Sequence, residues 1–123
     1  MNLLAIFLGG GLGSLSRYLT TLLLINHINY WTTFIINILG SFLIGCISAI
    51  LYHKIFFLSP TIKLFLITGF LGGFTTFSSF QLELFLLVQD GQYSQVFLYS
   101  FLSLVFGLLA ISIGFYMIQY LFK

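Results

Sequence analysis

The chain has 123 residues, of which 60% are hydrophobic and only 5% are charged. A soluble domain gives about a quarter of its residues to charge, so this composition cannot dress a water-facing surface and suits one that faces lipid. The charges are Arg17, Lys54, Lys63 and Lys123 against Glu83 and Asp90, a net +2 too small and too scattered for nucleic-acid binding. Cys46 is the single cysteine, so no intrachain disulfide can form. His27 and His53 have no cysteine nearby, which argues against a zinc site.

A membrane-spanning helix needs about 20 mostly apolar residues. Four windows meet that requirement: Leu3 to Ile25, Trp31 to Leu51, Leu64 to Val88 and Gln95 to Phe122. The opening Met1-Asn2-Leu3-Leu4 lacks the basic stretch of a signal peptide, so the first window is expected to be retained as a span. Short polar connections separate the windows: Asn26 to Asn29, then His53 to Lys63 with Pro60, then Gln89 to Ser94. Residues 1–123 therefore read as one all-α transmembrane domain in a multi-pass membrane protein. The apolar runs are continuous rather than alternating, which disfavours β-barrel strands. Helices of a soluble bundle would need a polar outer face, and no window has one.

In the first span Gly9 and Gly13 form a GxxxG pair, and Arg17 continues the same row. A phosphate-binding glycine loop would need a preceding strand and a Gly-Lys-Ser/Thr ending, which are missing. The second span sets Thr33, Asn37, Ser41, Gly45 and Ala49 at four-residue intervals. Asn37 is costly to turn toward lipid, so it points to another helix or to a water-filled path. The third span carries Thr68-Gly69-Phe70-Leu71-Gly72-Gly73-Phe74-Thr75-Thr76-Phe77-Ser78-Ser79-Phe80. That composition makes a poor continuous helix. A mid-membrane break must have its backbone groups satisfied by protein, water or an ion, and free carbonyls and amides there bind ions. A tightly packed unbroken glycine helix is the alternative.

Phe77 and Phe80 share a helix face. They are either packing residues or a pair whose positive ring edges hold a small anion. Glu83 lies later in the span, either as a functional acid or close enough to the end to reach water. In the fourth span Tyr99, Ser103 and Gly107 form a row with two hydroxyls, read equally as packing or as anion donors.

The segments Gly9-Gly10-Gly11-Leu12-Gly13-Ser14-Leu15-Ser16-Arg17-Tyr18, Asn37-Ile38-Leu39-Gly40-Ser41-Phe42 and Gly69 to Phe80 resemble the signatures of the CrcB/Fluc family of fluoride channels. The resemblance covers the whole chain. It implies a passive, fluoride-specific channel of the cell membrane that exports fluoride from the cytoplasm down its gradient. It also implies four helices with a broken third one, an antiparallel dimer in lipid, and a structural sodium ion at the dimer centre. By the same resemblance the backbone carbonyls of Gly72 and Thr75 hold the sodium. Asn37, Phe77, Phe80, Tyr99 and Ser103 line the fluoride path, Ser78, Ser79 and Glu83 continue it, and Arg17 sits in a vestibule. The dimer is a homodimer, or a heterodimer with an oppositely oriented paralogue.

The alternative is a small four-helix proton-coupled multidrug exporter, which would be expected to carry a membrane acid in its first span. Here that span carries Arg17 and no acid. No nucleophile, base and orienting group come together as an enzyme would need.

Lys54, Lys63 and Lys123 fall on one side and no Lys or Arg falls in the connections on the other, so both termini are expected in the cytoplasm. Reporter fusions at the C-terminus should therefore signal from the cytoplasmic side alone. Equal signals from both sides would indicate dual topology.

Overall fold

The computed structural model describes residues 1–24 and 31–123. Every regular element among the described residues is helical. In chain order they are α1 (Asn2–Leu24), α2 (Trp31–Tyr52), α3 (Pro60–Lys63), a π-helical segment (Leu64–Leu71), α4 (Gly72–Phe74), α5 (Phe77–Gln89) and α6 (Tyr93–Leu121). Among the described residues four stretches are long and apolar enough to cross a membrane: Asn2–Leu24, Trp31–Tyr52, Pro60–Gln89 and Tyr93–Leu121. The connection containing His27, and Ile25 at the end of the first window, lie outside the described residues.

The third span starts earlier than its apolar window. Residues 60–63 were expected in a connection, yet they form α3, because Pro60 occupies the first helical turn, where a missing N–H costs nothing. The Ser59 hydroxyl caps the turn by accepting from the Ile62 amide at 3.3 Å. At the other end of this span the helix runs through Gln89 and closes at Asp90, whose amide donates to the Leu86 carbonyl at 3.0 Å.

The spans pack as two parallel pairs, α1 with the first half of the third span and α2 with α6. Within the first pair the backbones nearly touch. A Cβ on Gly9 would collide with the Phe65 carbonyl oxygen, one on Gly13 with the Phe70 carbonyl, and one on Gly73 with the Gly10 carbonyl. Lipid supplies no hydrophobic drive between helices, so close van der Waals approach of small residues holds such pairs together. The second pair repeats the device, with Gly45 against the Ile111 carbonyl and Gly114 against the Phe42 carbonyl. The Thr33, Asn37, Ser41, Gly45 and Ala49 stripe faces inward, with Thr33, Gly45 and Ala49 buried.

One end of the bundle gathers the N-terminus, residues 53–63 and the end of α6. The Thr61 hydroxyl donates to the Asn2 side chain at 3.1 Å, and the His53 ring lies 5.7 Å from Phe115. Lys54, Lys63 and Lys123 thus share a membrane face.

Gly9→Val and Gly73→Val should each destabilise the protein by about 1–3 kcal/mol or more, as overpacked contacts do. Gly11→Val should leave stability near the parent value, because a Cβ there meets nothing within 4 Å. Denaturant titration in detergent, read by circular dichroism, checks the contrast.

Candidate functional site

Thr75 and Thr76 are extended between α4 and α5, at φ −78°, ψ 157° and φ −149°, ψ 112°. Successive extended residues point to opposite sides, and these two separate two concavities. Thr76 faces a polar cavity of 480 Å³ lined by Ser14, Arg17, Thr33, Ser79 and Glu83 among others. Thr75 faces a more apolar hollow of 500 Å³ bordered by Asn37, Gly72, Phe77, Phe80 and Ser103.

The two extended residues need partners for their backbone groups, and Asn37 supplies two. Its Oδ1 accepts from the Thr76 amide at 2.9 Å, and its Nδ2 donates to the Thr76 carbonyl at 3.1 Å. In a continuous helix the Thr76 amide would have donated to the Gly72 carbonyl instead. The Arg17 guanidinium donates to the Thr75 carbonyl at 3.4 Å. The Thr75 hydroxyl donates back to the Leu71 carbonyl at 2.8 Å.

Thr76 also starts α5. Its Oγ1 accepts from the Ser79 amide at 3.2 Å and donates to the Ser79 hydroxyl at 3.0 Å. The Ser78 hydroxyl lies 3.3 Å from the same atom. A threonine just before a helical run is a favoured N-cap, and that much can be read in sequence.

Farther along α5, both carboxylate oxygens of Glu83 are engaged. The Thr33 hydroxyl donates to Oε1, and the Tyr99 hydroxyl donates to Oε2 at 2.7 Å. Hydrogen bonds to a charged acceptor are the strong kind, and they lash α5 to α2 and α6. Tyr99 is 1% exposed, with its ring packed edge-on against Phe80 at 5.0 Å and 70°. Phe80 in turn lies 5.9 Å from Phe77, which is 70% exposed. Beside these rings the buried Ser103 hydroxyl has no hydrogen-bond partner among the described residues.

The residues singled out in sequence therefore divide. Asn37, Gly72, Thr75, Phe77, Phe80 and Ser103 share the hollow, whereas Arg17, Ser79 and Glu83 share the polar cavity. Tyr99 links the two through its ring and its hydroxyl. Among the described residues, Ser78 reaches the site through Thr76. The contacts made by Thr33 and Thr76 had no counterpart in the sequence reading, since helical spacing assigns a face but not a partner.

The family profile described as "CrcB-like protein, Camphor Resistance (CrcB)" matches residues 4–115. The chain belongs to the CrcB-like family. Among its CrcB-like relatives are proteins named "Fluoride-specific ion channel FluC". The one from Flavobacterium psychrophilum is 47% identical over 108 residues, covering 85% of this chain and 86% of that protein. The Gloeothece citriformis relative is 41% identical over 122 residues, covering 97% and 98%. That from Azobacteroides pseudotrichonymphae is 40% identical over 116 residues, covering 92% of each.

Removing the Asn37 amide strands two backbone groups of this CrcB-like fold, each costing about 1–3 kcal/mol when buried and unpaired. Asn37→Ala should lower the unfolding transition in detergent markedly. Asn37→Asp should do so further, because it sets a carboxylate oxygen against the Thr76 carbonyl. If Asn37 served only as a neutral group beside an ion path, Asn37→Ala would unfold like the parent.

Proposed function

We propose that this chain is a passive fluoride-specific channel that lets fluoride leave the cytoplasm down its gradient, residues 1–123 forming one channel domain. The observation that carries this reading is the likeness to FluC relatives over nearly the whole length of both proteins. The relatives lend no support to the exporter alternative, and the chain is a membrane channel of this family rather than an enzyme.

The proposed path runs through the hollow, along Phe77, Phe80 and Ser103. Fluoride is small and strongly hydrated, so its water must be replaced by good donors. The orphaned Ser103 hydroxyl is such a donor. The edges of Phe77 and Phe80 carry partial positive charge that attracts an anion without the grip of a fixed cation. Arg17 in the polar cavity would draw anions toward the entrance, with Ser79 and Glu83 on the same wall and Ser78 nearby. Asn37 and Tyr99 would act from behind. Asn37 holds the backbone at Thr76, and Tyr99 fixes the Phe80 ring and the Glu83 carboxylate.

The working unit we propose is an antiparallel dimer with a broken third helix, formed with a second copy or with an oppositely oriented paralogue. The extended Thr75 and Thr76 support the break, and the exposure of Phe77 beside an open hollow supports a covering protomer. A structural sodium ion at the dimer centre fits the oxygens on offer. The Gly72 carbonyl has lost its helical donor to Asn37, and the Thr75 carbonyl has turned out of the helix, where it accepts from Arg17 at 3.4 Å and keeps its second lone pair. Carbonyl oxygens suit a hard cation. Bound there, sodium would supply positive charge to backbone oxygens that lipid cannot satisfy.

Fluoride-electrode recordings from liposomes test the reading. The protein should release fluoride and retain chloride. Ser103→Ala should slow fluoride efflux roughly tenfold, in line with the ~1–3 kcal/mol attached to one buried hydrogen-bonding group. Fluoride release no faster than from empty liposomes would end the proposal. Assembly is read separately by cross-linking. Gly72→Val has room within one chain, where a Cβ would lie 3.9 Å from the Ile67 carbonyl oxygen, so it should fold and yet fail to dimerise.

A further inference from the structure

Where α2 and α6 end, at the lysine-rich end of the bundle, lies a hollow unrelated to the site above. It measures 410 Å³ and is lined by His53, Ile55, Gln119, Phe122 and Lys123. His53, Gln119 and Lys123 can donate hydrogen bonds, and Lys123 carries positive charge. Ile55 and Phe122 make the remainder apolar. The last helical residues here are Tyr52 and Leu121. The exposed rings of Tyr52, Phe56, Tyr120 and Phe122 surround the spot, as aromatic residues do at headgroup depth.

The walls are braced. The His53 ring stands edge-on to Tyr52 at 5.0 Å and rests on Phe115 at 5.7 Å. Phe122 packs edge-on against Phe56 at 5.4 Å.

Capping the end of α2 does not account for the nearby positive charge. The Ala49, Ile50 and Leu51 carbonyls already have backbone donors: the His53 amide reaches Ala49 at 3.0 Å, Lys54 reaches Leu51 at 3.3 Å, and Ile55 reaches Ile50 at 3.1 Å. This closure puts Lys54 at φ 51°, in the left-handed region where glycine or asparagine is usual. Pairing with acids does not account for it either. The side-chain acids of the chain, Glu83 and Asp90, lie in α5 and at its far end, toward the opposite membrane face.

We propose that this hollow binds the phosphate of an anionic phospholipid headgroup. His53, Gln119 and Lys123 donate to its oxygens and Lys54 adds charge from the rim. The acyl chains lie along the exposed flank of α6 at Ile113, Tyr116 and Met117. Basic pockets between membrane helices at headgroup depth take such lipids. Among the described residues no side-chain acid lines the hollow, and the charges of Lys54 and Lys123 favour a net negative headgroup over a zwitterionic one. The proposal does not depend on which ion the channel carries.

Native mass spectrometry of the purified full-length protein, offered phosphatidylglycerol or phosphatidylcholine, tests it. Phosphatidylglycerol should be retained preferentially. Lys123→Gln and Lys54→Gln should each weaken that retention roughly fivefold, the effect expected of one basic residue near an anionic lipid. Lys63→Gln makes the same charge change on the same face but outside the hollow, and should leave retention near the parent level. Equal retention of the two lipids would overturn the site, and so would equal losses for Lys63→Gln and Lys123→Gln. Displacement of the lipid by millimolar inorganic phosphate would also overturn it, since it would mark a site for free anions.

Discussion

A hydrocarbon interior offers no water to an unpaired amide or carbonyl, and each group left alone there costs several kcal/mol. Thr75 and Thr76 are extended between α4 and α5, and much of the surrounding structure answers that single constraint. Asn37 comes from α2 with one acceptor and one donor, the two groups Thr76 requires. Arg17 comes from α1 to the Thr75 carbonyl. The Thr76 side chain then restarts the helix by capping α5. Three spans thus converge on two residues, and the glycine contacts of α1 at Gly9 and Gly13 bring Arg17 close enough to take part.

The same convergence positions the rest of the site. Once α5 is restarted at Phe77, Glu83 falls beside Thr33 and Tyr99, whose hydroxyls both donate to it. That three-helix knot fixes Tyr99, and Tyr99 fixes the Phe80 ring through an edge contact. A carboxylate inside a membrane is expensive unless it is paired. Two hydroxyl donors reduce the expense while stiffening the wall of the hollow.

The four spans were legible in the sequence because about 20 apolar residues have few other uses. Pro60 misled the boundary, since proline punctuates chains and also opens helices. The inward stripe from Thr33 to Ala49 was legible as a face, because periodicity reports direction. Which group each member meets was not legible. Asn37 and Thr76 lie 39 residues apart, and Glu83 and Thr33 lie 50 apart. Those pairings depend on the parallel packing of α2 with α6 and of α1 with the third span. Glycine spacing permits that arrangement but does not dictate it. Ser103 stood out in sequence only as a hydroxyl in a row. Its lack of a partner among the described residues follows from the packing, in which Tyr99, four residues earlier on the same row, is committed to Glu83.

The division of charge bears on how an anion could pass without being trapped. A fixed cation in a low-dielectric passage attracts fluoride but also holds it, because Coulomb attraction grows steeply as water is excluded. Here the only arginine shares its cavity with Glu83, so the formal charges of that space offset each other. Among the described residues, none that lines the neighbouring hollow, where Asn37, Phe77, Phe80 and Ser103 lie, carries an ionisable side chain. An anion moving from cavity to hollow would leave the compensated charges for hydroxyl and ring-edge dipoles alone. Conduction requires binding favourable enough to enter and weak enough to leave, and dipoles of fixed orientation meet both demands where a second lysine or arginine would meet only the first.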